Sequence, residues 1–486
     1  MVQKREMKVQ IMSNKTLEAI LPPGFQDLWG EAIILKKELI RILQENSLKY
    51  GYSEIETSPF EFSENIGSFL SDDLNNPMSD IFTFDDKTRK ISLIFDLSAP
   101  LSRFISAQYS SLTFPFKRFQ ISQVYRDETT KMGRGRYRSF FQGDFDQIFT
   151  GNVPSQANAE LCEIINDTLL KFKFKKDQFK ISIFNRKIIN GLLDDLKIND
   201  EIQKFKVLRS IDKYDRLNEA GVRELLKQKR ADKISGDVTL GANLSDEQAS
   251  VILNFLKIKD LETLKLNFKN KISKVGIDEL EKVFELLSYG DYFKQYQIDC
   301  SKTRGLNYYD SFVVETNLNF KVKNKEQKLV EMGSIVSGGA YSKLCGRFRG
   351  GKIYQGTGCS FGISRILYCL MQLNQLKINQ NYTVMIACMD DKYMKEYYSI
   401  AKNLRENNIN TEIYLDPSKN LGKQLLYANK KNCAVALILG TDEYKSSSIT
   451  LKNLLSKRDE DNQITIPRNP ENKLIDEIRK IIPKNN

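Results

Sequence analysis

Between Arg138 and Asp146 the side chains alternate with a period of two, Gln142, Asp144 and Asp146 on one face and Phe141, Gly143 and Phe145 on the other. An extended strand sorts residues this way and a helix does not, so the chain is expected to build a sheet around this segment. The polar set carries two carboxylates, and a carboxylate on a buried strand face is costly unless it binds something. One short run therefore predicts a fold element and a candidate site together. Upstream, the strand-like run Phe116 to Val124 leads into Val124-Tyr125-Arg126-Asp127-Glu128 and the loop Gly133-Arg134-Gly135-Arg136-Tyr137-Arg138. An arginine at a strand end, a charged glycine-bearing loop and a returning strand suit the grip of a triphosphate and its metal. The guanidinium fork pairs bidentately with phosphate oxygens, and Glu128 can hold a metal or a base amine. Standing alone, such a basic loop is more often a solvated surface.

At about 150 residues per domain, a chain of 486 predicts roughly three domains. Leu21-Pro22-Pro23-Gly24-Phe25-Gln26-Asp27 is a turn that punctuates entry into the first. A long helix follows, with Leu35, Leu39, Ile42 and Leu43 on one face and Gly51 placed to stop it. Ser92 to Phe95 reads as a further strand, and Pro154 and Ser155 open a helix with Leu161, Ile165 and Leu169 in register. From about Asn185 to Ser288 the texture turns helical and Lys-rich, as in an inserted domain. Strand-like segments return at Gly305–Glu315, Glu331–Ser337 and Gly358–Ile363. Beyond them, β-branched runs at Val384–Cys388, Thr411–Leu415, Ala434–Leu439 and Ile449–Leu451 alternate with helical patterns at Met394–Arg405 and Leu421–Lys430, which predicts a separate α/β unit.

The chain contains no histidine. That excludes Ser-His-Asp and Cys-His machinery, HExxH zinc sites and Cys2His2 fingers. Its chemistry must run on arginine, lysine, carboxylates, hydroxyls or a hard metal ion. The seven cysteines include no CxxC pair and read as mostly buried thiols in a reducing compartment. No apolar run approaches the length of a membrane span, so no membrane partner is expected. The first twenty residues are weakly basic and read as a flexible cytosolic extension, a short organellar presequence being the other reading. A net charge of +12 is compatible with a nucleic-acid partner but decides little alone.

Three further segments carry candidate chemistry: Thr303-Arg304-Gly305-Leu306-Asn307-Tyr308-Tyr309, Ser337-Gly338-Gly339-Ala340-Tyr341, and Gly358-Cys359-Ser360-Phe361-Gly362-Ile363-Ser364-Arg365. Singly, each has a structural reading, because paired tyrosines are usually core and a Gly-Gly pair is usually a turn. Together and in this order they resemble a class II aminoacyl-tRNA synthetase, specifically histidyl-tRNA synthetase of the eukaryotic type. Arg126 to Gln142 resembles motif 2 of that class and Gly358 to Arg365 resembles motif 3. Thr303–Tyr309 and Ser337–Tyr341 resemble the two signatures peculiar to the histidine enzymes. Asn185-Arg186-Lys187-Ile188, Ser210-Ile211-Asp212-Lys213, Leu421–Leu425 and Ile449–Leu454 extend the resemblance over the chain after residue 20.

The resemblance implies an α/β (α+β) architecture: an antiparallel-sheet catalytic domain, a helical insertion and a C-terminal mixed α/β anticodon-binding domain. On this chain those become a flexible extension at 1–20, a first catalytic part at 21–184, the insertion at 185–290, a second catalytic part at 291–375 and the anticodon-binding domain at 380–486. It implies a cytoplasmic homodimer, with a mitochondrial location as the other possibility, that joins histidine to ATP as histidyl-adenylate and then to tRNA(His). Arg126, Arg304 and Arg365 carry over as the catalytic cations. Arg126, Glu128 and Arg365 would bind ATP, with Mg²⁺ assisted by Glu128. Asp96, Ser98 and Gln142 match positions that hold the α-amino group, and Asp146 and Tyr309 match those bonded to the imidazole. Arg304, Tyr308 and Tyr341 complete the histidine set. Arg136, Lys423 and Lys452, with Lys430 and Lys431 nearby, are the tRNA-binding candidates.

Several positions depart from the family pattern. Ile94 stands where an arginine is usual, Ala340 and Ser342 replace the Arg and Asp of a Gly-Gly-Arg-Tyr-Asp run, and Asn307 and Ser98 are milder changes. In motif 1, Ser58-Pro59 displaces the proline by one. These departures motivate an alternative: a catalytically weak or inactive synthetase-like protein that binds tRNA or regulates another protein. A regulatory subunit of histidine biosynthesis on the same fold is a third reading, for which an anticodon-type domain would have little use.

Overall fold

The computed structural model describes residues 18–66, 80–128, 135–231, 238–290, 293–302, 309–324, 326–342, 348, 354–373, 375, 382–456, 462–469 and 471–483. Arg304 and Tyr308, the loop residues 129–134, Cys345 and most of the expected extension lie outside the described residues. The chain divides into two compact units, Met1–Leu376 and Lys377–Asn486.

The first unit is organised by an eight-stranded sheet. Its strands are β1 (Ser53–Glu54), β2 (Phe116–Tyr125), β3 (Ser139–Phe149), β4 (Phe179–Asn185), β5 (Tyr296–Ile298), β6 (Tyr309–Leu318), β7 (Ser334–Tyr341) and β8 (Gln355–Phe361). They lie in the order β1-β2-β3-β8-β7-β6-β4-β5. The inner pairs are antiparallel, and only the edge pairs β1–β2 and β4–β5 are parallel.

Strand β3 follows the alternation expected of it and is buried along most of its length on both faces. Helix α1 (Gly30–Lys49) covers the apolar face, burying Leu35, Leu39, Ile42 and Leu43. A Cβ on Gly143 would lie 2.4 Å from a Leu43 methyl, so the missing side chain is what lets the helix seat on the strand. Past the helix, Gly51 takes φ +75°, a left-handed conformation that ends the helix at little cost. Helix α2 (Ser98–Gln108) follows a small three-stranded sheet, and α3 (Ser155–Lys171) buries Leu161, Ile165 and Leu169 as its spacing predicts.

The segment 185–290 contributes α4 (Arg186–Asp195), α5 (Glu201–Ile211), α6 (Tyr214–Lys227), α7 (Asp246–Phe255), α8 (Leu261–Asn267) and α9 (Lys271–Leu287). Its helical texture is as expected, with an added two-stranded sheet at Lys229–Ala231 and Val238–Leu240. Helices α4 and α9 pack on each other and on the main sheet. Helix α10 (Ile363–Leu373) leaves directly from β8 and carries Arg365 in its first turn.

Three local expectations are corrected. Gly338 and Gly339 lie inside β7, not in a turn: Cβ atoms there would lie 2.2 Å from the Gly358 carbonyl and 2.5 Å from that of Phe312. Glu315 sits within β6 and does not close it. The strand expected at Ser92–Phe95 runs over Arg89–Leu93, which releases Phe95 and Asp96 from the small sheet.

The second unit is a five-stranded sheet of β9 (Val384–Ala387), β10 (Thr411–Ile413), β11 (Val435–Ile438), β12 (Ser448–Asn453) and β13 (Gln463–Pro467), ordered β10-β9-β11-β12-β13. The first three are parallel and the last two antiparallel. Helices α11 (Met394–Glu406), α12 (Leu421–Lys430) and α13 (Glu471–Ile481) complete it. The fold class, a mixed α/β chain with an antiparallel-dominated sheet in the first unit and a mixed sheet in the second, is that expected from the sequence. Cys162, Cys300, Cys359, Cys369, Cys388 and Cys433 are buried free thiols. Among the described residues no helix is long and apolar enough to cross a membrane.

Candidate active site

Arg126 leaves the end of β2 and is held from several directions. Its N–H donates to the Arg138 carbonyl at 2.8 Å, and its Nε donates to that of Phe95 at 3.2 Å. The guanidinium lies near the Phe95 and Phe140 rings, 4.4 and 5.1 Å from their centroids. Aromatic faces fix its plane by cation–π attraction without using up its donors. It faces a cleft of about 670 Å³ whose lining includes Glu128, Arg136, Gln142, Ser360 and Arg365.

Arg365 donates to the Ser334 carbonyl, and burial, with Arg136 and Arg126 nearby, pushes its pKa down. Three guanidinia thus line the cleft against one carboxylate, Glu128, which pairs with Arg136 and lies 3.9 Å from Arg126. The balance favours an anion, and hydroxyls of Ser337, Ser360 and Ser364 line the same space.

Below the cleft runs the polar face of β3. The sheet register sets Asp144 opposite Gln120 and Ser360, and Asp146 opposite Arg118 and Gly358. Gln142 reaches both places, lining the cleft and donating from Nε2 to Asp144 Oδ1 at 2.9 Å. Burial pushes the Asp144 carboxyl up to about 7 against the opposing pull of Arg118, and Asp146 raises it further. Asp146 Oδ1 accepts from the Tyr341 hydroxyl at 2.7 Å, while Oδ2 lies 2.7 Å from Arg118 Nη2. Burial raises the Asp146 carboxyl, and Arg118 and Tyr341 oppose that rise. Tyr309 lies directly opposite Tyr341, ring centroids 6.4 Å apart.

Asp96 approaches from the start of α2. Its Oδ1 accepts from the Ala99 N–H at 3.1 Å, and Oδ2 is buried without a hydrogen-bond partner among the described residues. Desolvation raises this carboxyl, and both Arg126 and Arg118 counter the rise. An unpartnered buried acceptor of this kind suits an ammonium donor.

Of the residues picked from sequence, Arg126, Glu128, Arg136, Gln142 and Arg365 share the cleft, and Asp146 and Tyr341 are hydrogen-bonded beneath it. Lys302, two residues before Arg304 in the chain, is buried and held by Asp215 of α6 and, at 3.0 Å, by Glu315. Arg186, the first residue of α4, donates to the Tyr309 carbonyl. In the second unit Lys423 and Lys430 are exposed on α12, Lys452 is half-buried on β12, and Lys431 is paired with Glu412 at 2.5 Å.

Two departures have local replacements. Ile94 is wholly buried with Leu97 and Val124, and the guanidinium bonded to the Asp96–Ser98 segment is that of Arg118, which donates to the Leu97 carbonyl at 3.1 Å. Ser342 donates its hydroxyl and its N–H, the latter at 3.1 Å, to Asp310, so a carboxylate stands beside this strand end although position 342 lacks one. Arg118 was missed from the sequence. The alternation argument used for β3 finds it, since Arg118, Gln120 and Ser122 share one face of β2.

A model of the histidyl-tRNA synthetase family matches residues 24–366, and an anticodon binding domain model matches residues 383–481. A histidine–tRNA ligase of Pelagibacter ubique is 55% identical over 465 residues, covering 95% of this chain and 98% of its own. One from Ruegeria pomeroyi is 35% identical and covers 90% of each chain. Among solved structures, histidyl-tRNA synthetase from Nostoc sp. PCC 7120 aligns with a TM-score of 0.72 at 26% identity, over 96% of this chain and 100% of that one. An ATP phosphoribosyltransferase regulatory subunit/histidyl-tRNA synthetase from Bacillus halodurans shares the fold at 21% identity, with a TM-score of 0.67 over 88% of this chain and 99% of that one. These relatives are bacterial, so they support neither the eukaryotic type nor the mitochondrial location raised by the sequence. The length and identity of these matches place the chain in the histidyl-tRNA synthetase family.

Proposed function

We propose that the protein is a histidine–tRNA ligase that activates histidine with ATP and transfers it to tRNA(His), working as a cytoplasmic homodimer. The observation that carries this reading is the continuity of a three-arginine cleft with a buried polar strand face through Gln142.

Activation needs no general base, because the attacking carboxylate of histidine is ionised at neutral pH. One of its oxygens attacks the α-phosphorus, the bond to the bridging oxygen breaks, and pyrophosphate leaves. The protein's task is to hold two anions together and stabilise charge on the α-phosphate. Arg126, held against Phe95 and Phe140, would meet the α-phosphate, and Arg365 the γ-phosphate. Arg304 would be the histidine-specific catalytic cation. In the second step the terminal adenosine hydroxyl of the tRNA attacks the acyl carbon and AMP departs.

For the substrate, the open Asp96 oxygen, Ser98 and Gln142 would take the ammonium group, and Asp146 and Tyr309 the imidazole, with Tyr308 and Tyr341 lining the pocket. Among the described residues no group of three or more Asp, Glu, Cys or His could hold a metal. A single carboxylate facing bound phosphates nevertheless suits Mg²⁺, which takes most of its ligands from phosphate and water. Glu128, which lines the cleft beside Arg126, would hold it. When bound, Mg²⁺ would neutralise developing charge on the phosphates. Arg136 would meet the acceptor end of the tRNA, and Lys423, Lys430, Lys431 and Lys452 its anticodon arm. The test is charging of tRNA(His) with labelled histidine; a purified protein that binds this tRNA and leaves it uncharged overturns the reading.

A further inference from the structure

We infer that Arg118 is a positioning residue for histidine recognition: it holds the Asp146 carboxylate as an ionised acceptor for a ring N–H of the bound amino acid. The inference rests on the imidazole-binding role proposed above for Asp146.

Arg118 is fully buried on β2, directly opposite Asp146. Its Nη2 alone is used, between Asp146 Oδ2 at 2.7 Å and the Leu97 carbonyl at 3.1 Å. Nε and Nη1 are buried with no hydrogen-bond partner among the described residues. An apolar side chain here would avoid the cost of burying a half-satisfied cation, so stability is a poor reason for an arginine. Its chemistry supplies a better one. A guanidinium has five donors and no acceptor, so the oxygen it touches cannot carry a proton. The Tyr341 hydroxyl donates to the other oxygen at 2.7 Å. Both oxygens of Asp146 therefore face donors, and the group is fixed in its ionised form and its orientation.

The other titratable and charged groups around Asp146 make this necessary. Asp144 lies two residues away on the same strand face, and Asp96 approaches from the start of α2. Arg126, at the end of β2, also acts on Asp96. Cys359 of β8 and Tyr52 are buried and held neutral. Without Arg118, Asp146 Oδ2 loses the donor that bars a proton from it, in a buried site whose strand face it shares with Asp144. A protonated Asp146 offers an O–H that can bond either ring nitrogen, whereas the ionised form accepts only from an N–H and so selects one imidazole tautomer.

The experiment uses the full-length protein in histidine-dependent ATP–pyrophosphate exchange, comparing Arg118→Met, Arg118→Lys and Asp146→Asn. Arg118→Met is expected to raise the histidine KM by about 10- to 100-fold, the usual range for loss of a supporting partner, with the ATP KM unmoved. Arg118→Lys, which again offers only donors, recovers most of that loss. If Arg118→Met does not fold, Arg118→Gln, uncharged but still polar, is read in its place. An unchanged histidine KM, or equal changes for histidine and ATP, makes Arg118 merely structural and overturns the inference. An unchanged histidine KM in Asp146→Asn overturns it by another route, because the imidazole assignment itself then fails. Absence of exchange in the unaltered protein removes the ligase reading first.

Discussion

Gly358 lies directly across the sheet from Asp146, and a Cβ on it would stand 2.1 Å from Asp146 Oδ1. The glycine belongs to the motif 3 strand, yet the space it leaves is filled by the carboxylate proposed to read the imidazole. Gly358→Ala is therefore expected to displace Asp146, raising the histidine KM at least tenfold and costing about 1–3 kcal/mol of stability by overpacking. Exchange kinetics and a urea melt of the same preparation check both parts.

The buried Asp144 carboxyl, pushed up to about 7, makes stability depend on pH. An unfolded aspartate titrates near about 4, so between those values the folded protein holds one proton more than the unfolded chain. This contribution is fully present below about pH 4, is lost as pH rises toward about 7, and is level above. Urea midpoints are expected to fall across that window, and Asp144→Asn flattens the fall. An equal slope in the variant would place the titration elsewhere.

Arg126 contributes charge in a plane fixed by Phe95 and Phe140. Arg126→Ala is expected to lower kcat for exchange by about 10²–10³, the range for loss of one transition-state donor. Arg126→Lys restores little, because an ammonium lacks the planar fork. Single-turnover adenylate formation measures this directly.

The absence of histidine from the chain has a consequence for synthesis. Translation of this protein does not consume the product its proposed activity supplies. In histidine-starved cells its pulse-labelled synthesis is expected to outlast that of histidine-containing proteins of similar length; a parallel decline would show no such advantage.

Much of this was legible where periodicity is strict. Helix α1 and strand β3 follow from the spacing of Leu35, Leu39 and Ile42 and from the alternation through Asp146. What local pattern hides is the partner. Strand β4 pairs with β6, more than a hundred residues further along the chain. The three-residue β5 is too short to carry a period. Gly338 and Gly339 read as a turn by local chemistry, whereas the close approach of the Gly358 and Phe312 carbonyls is what excludes side chains there. Arg118 was available to the same alternation argument, but its meaning appears only with the register that sets Asp146 opposite.

The most direct test of the account is ATP–pyrophosphate exchange by the purified protein with each of the twenty amino acids supplied separately. Exchange supported by histidine alone is the predicted result, because the ionised Asp146, flanked by Arg118 and Tyr341, calls for a side chain with an N–H at that point. No exchange from a folded protein, or exchange with another amino acid instead, would contradict it.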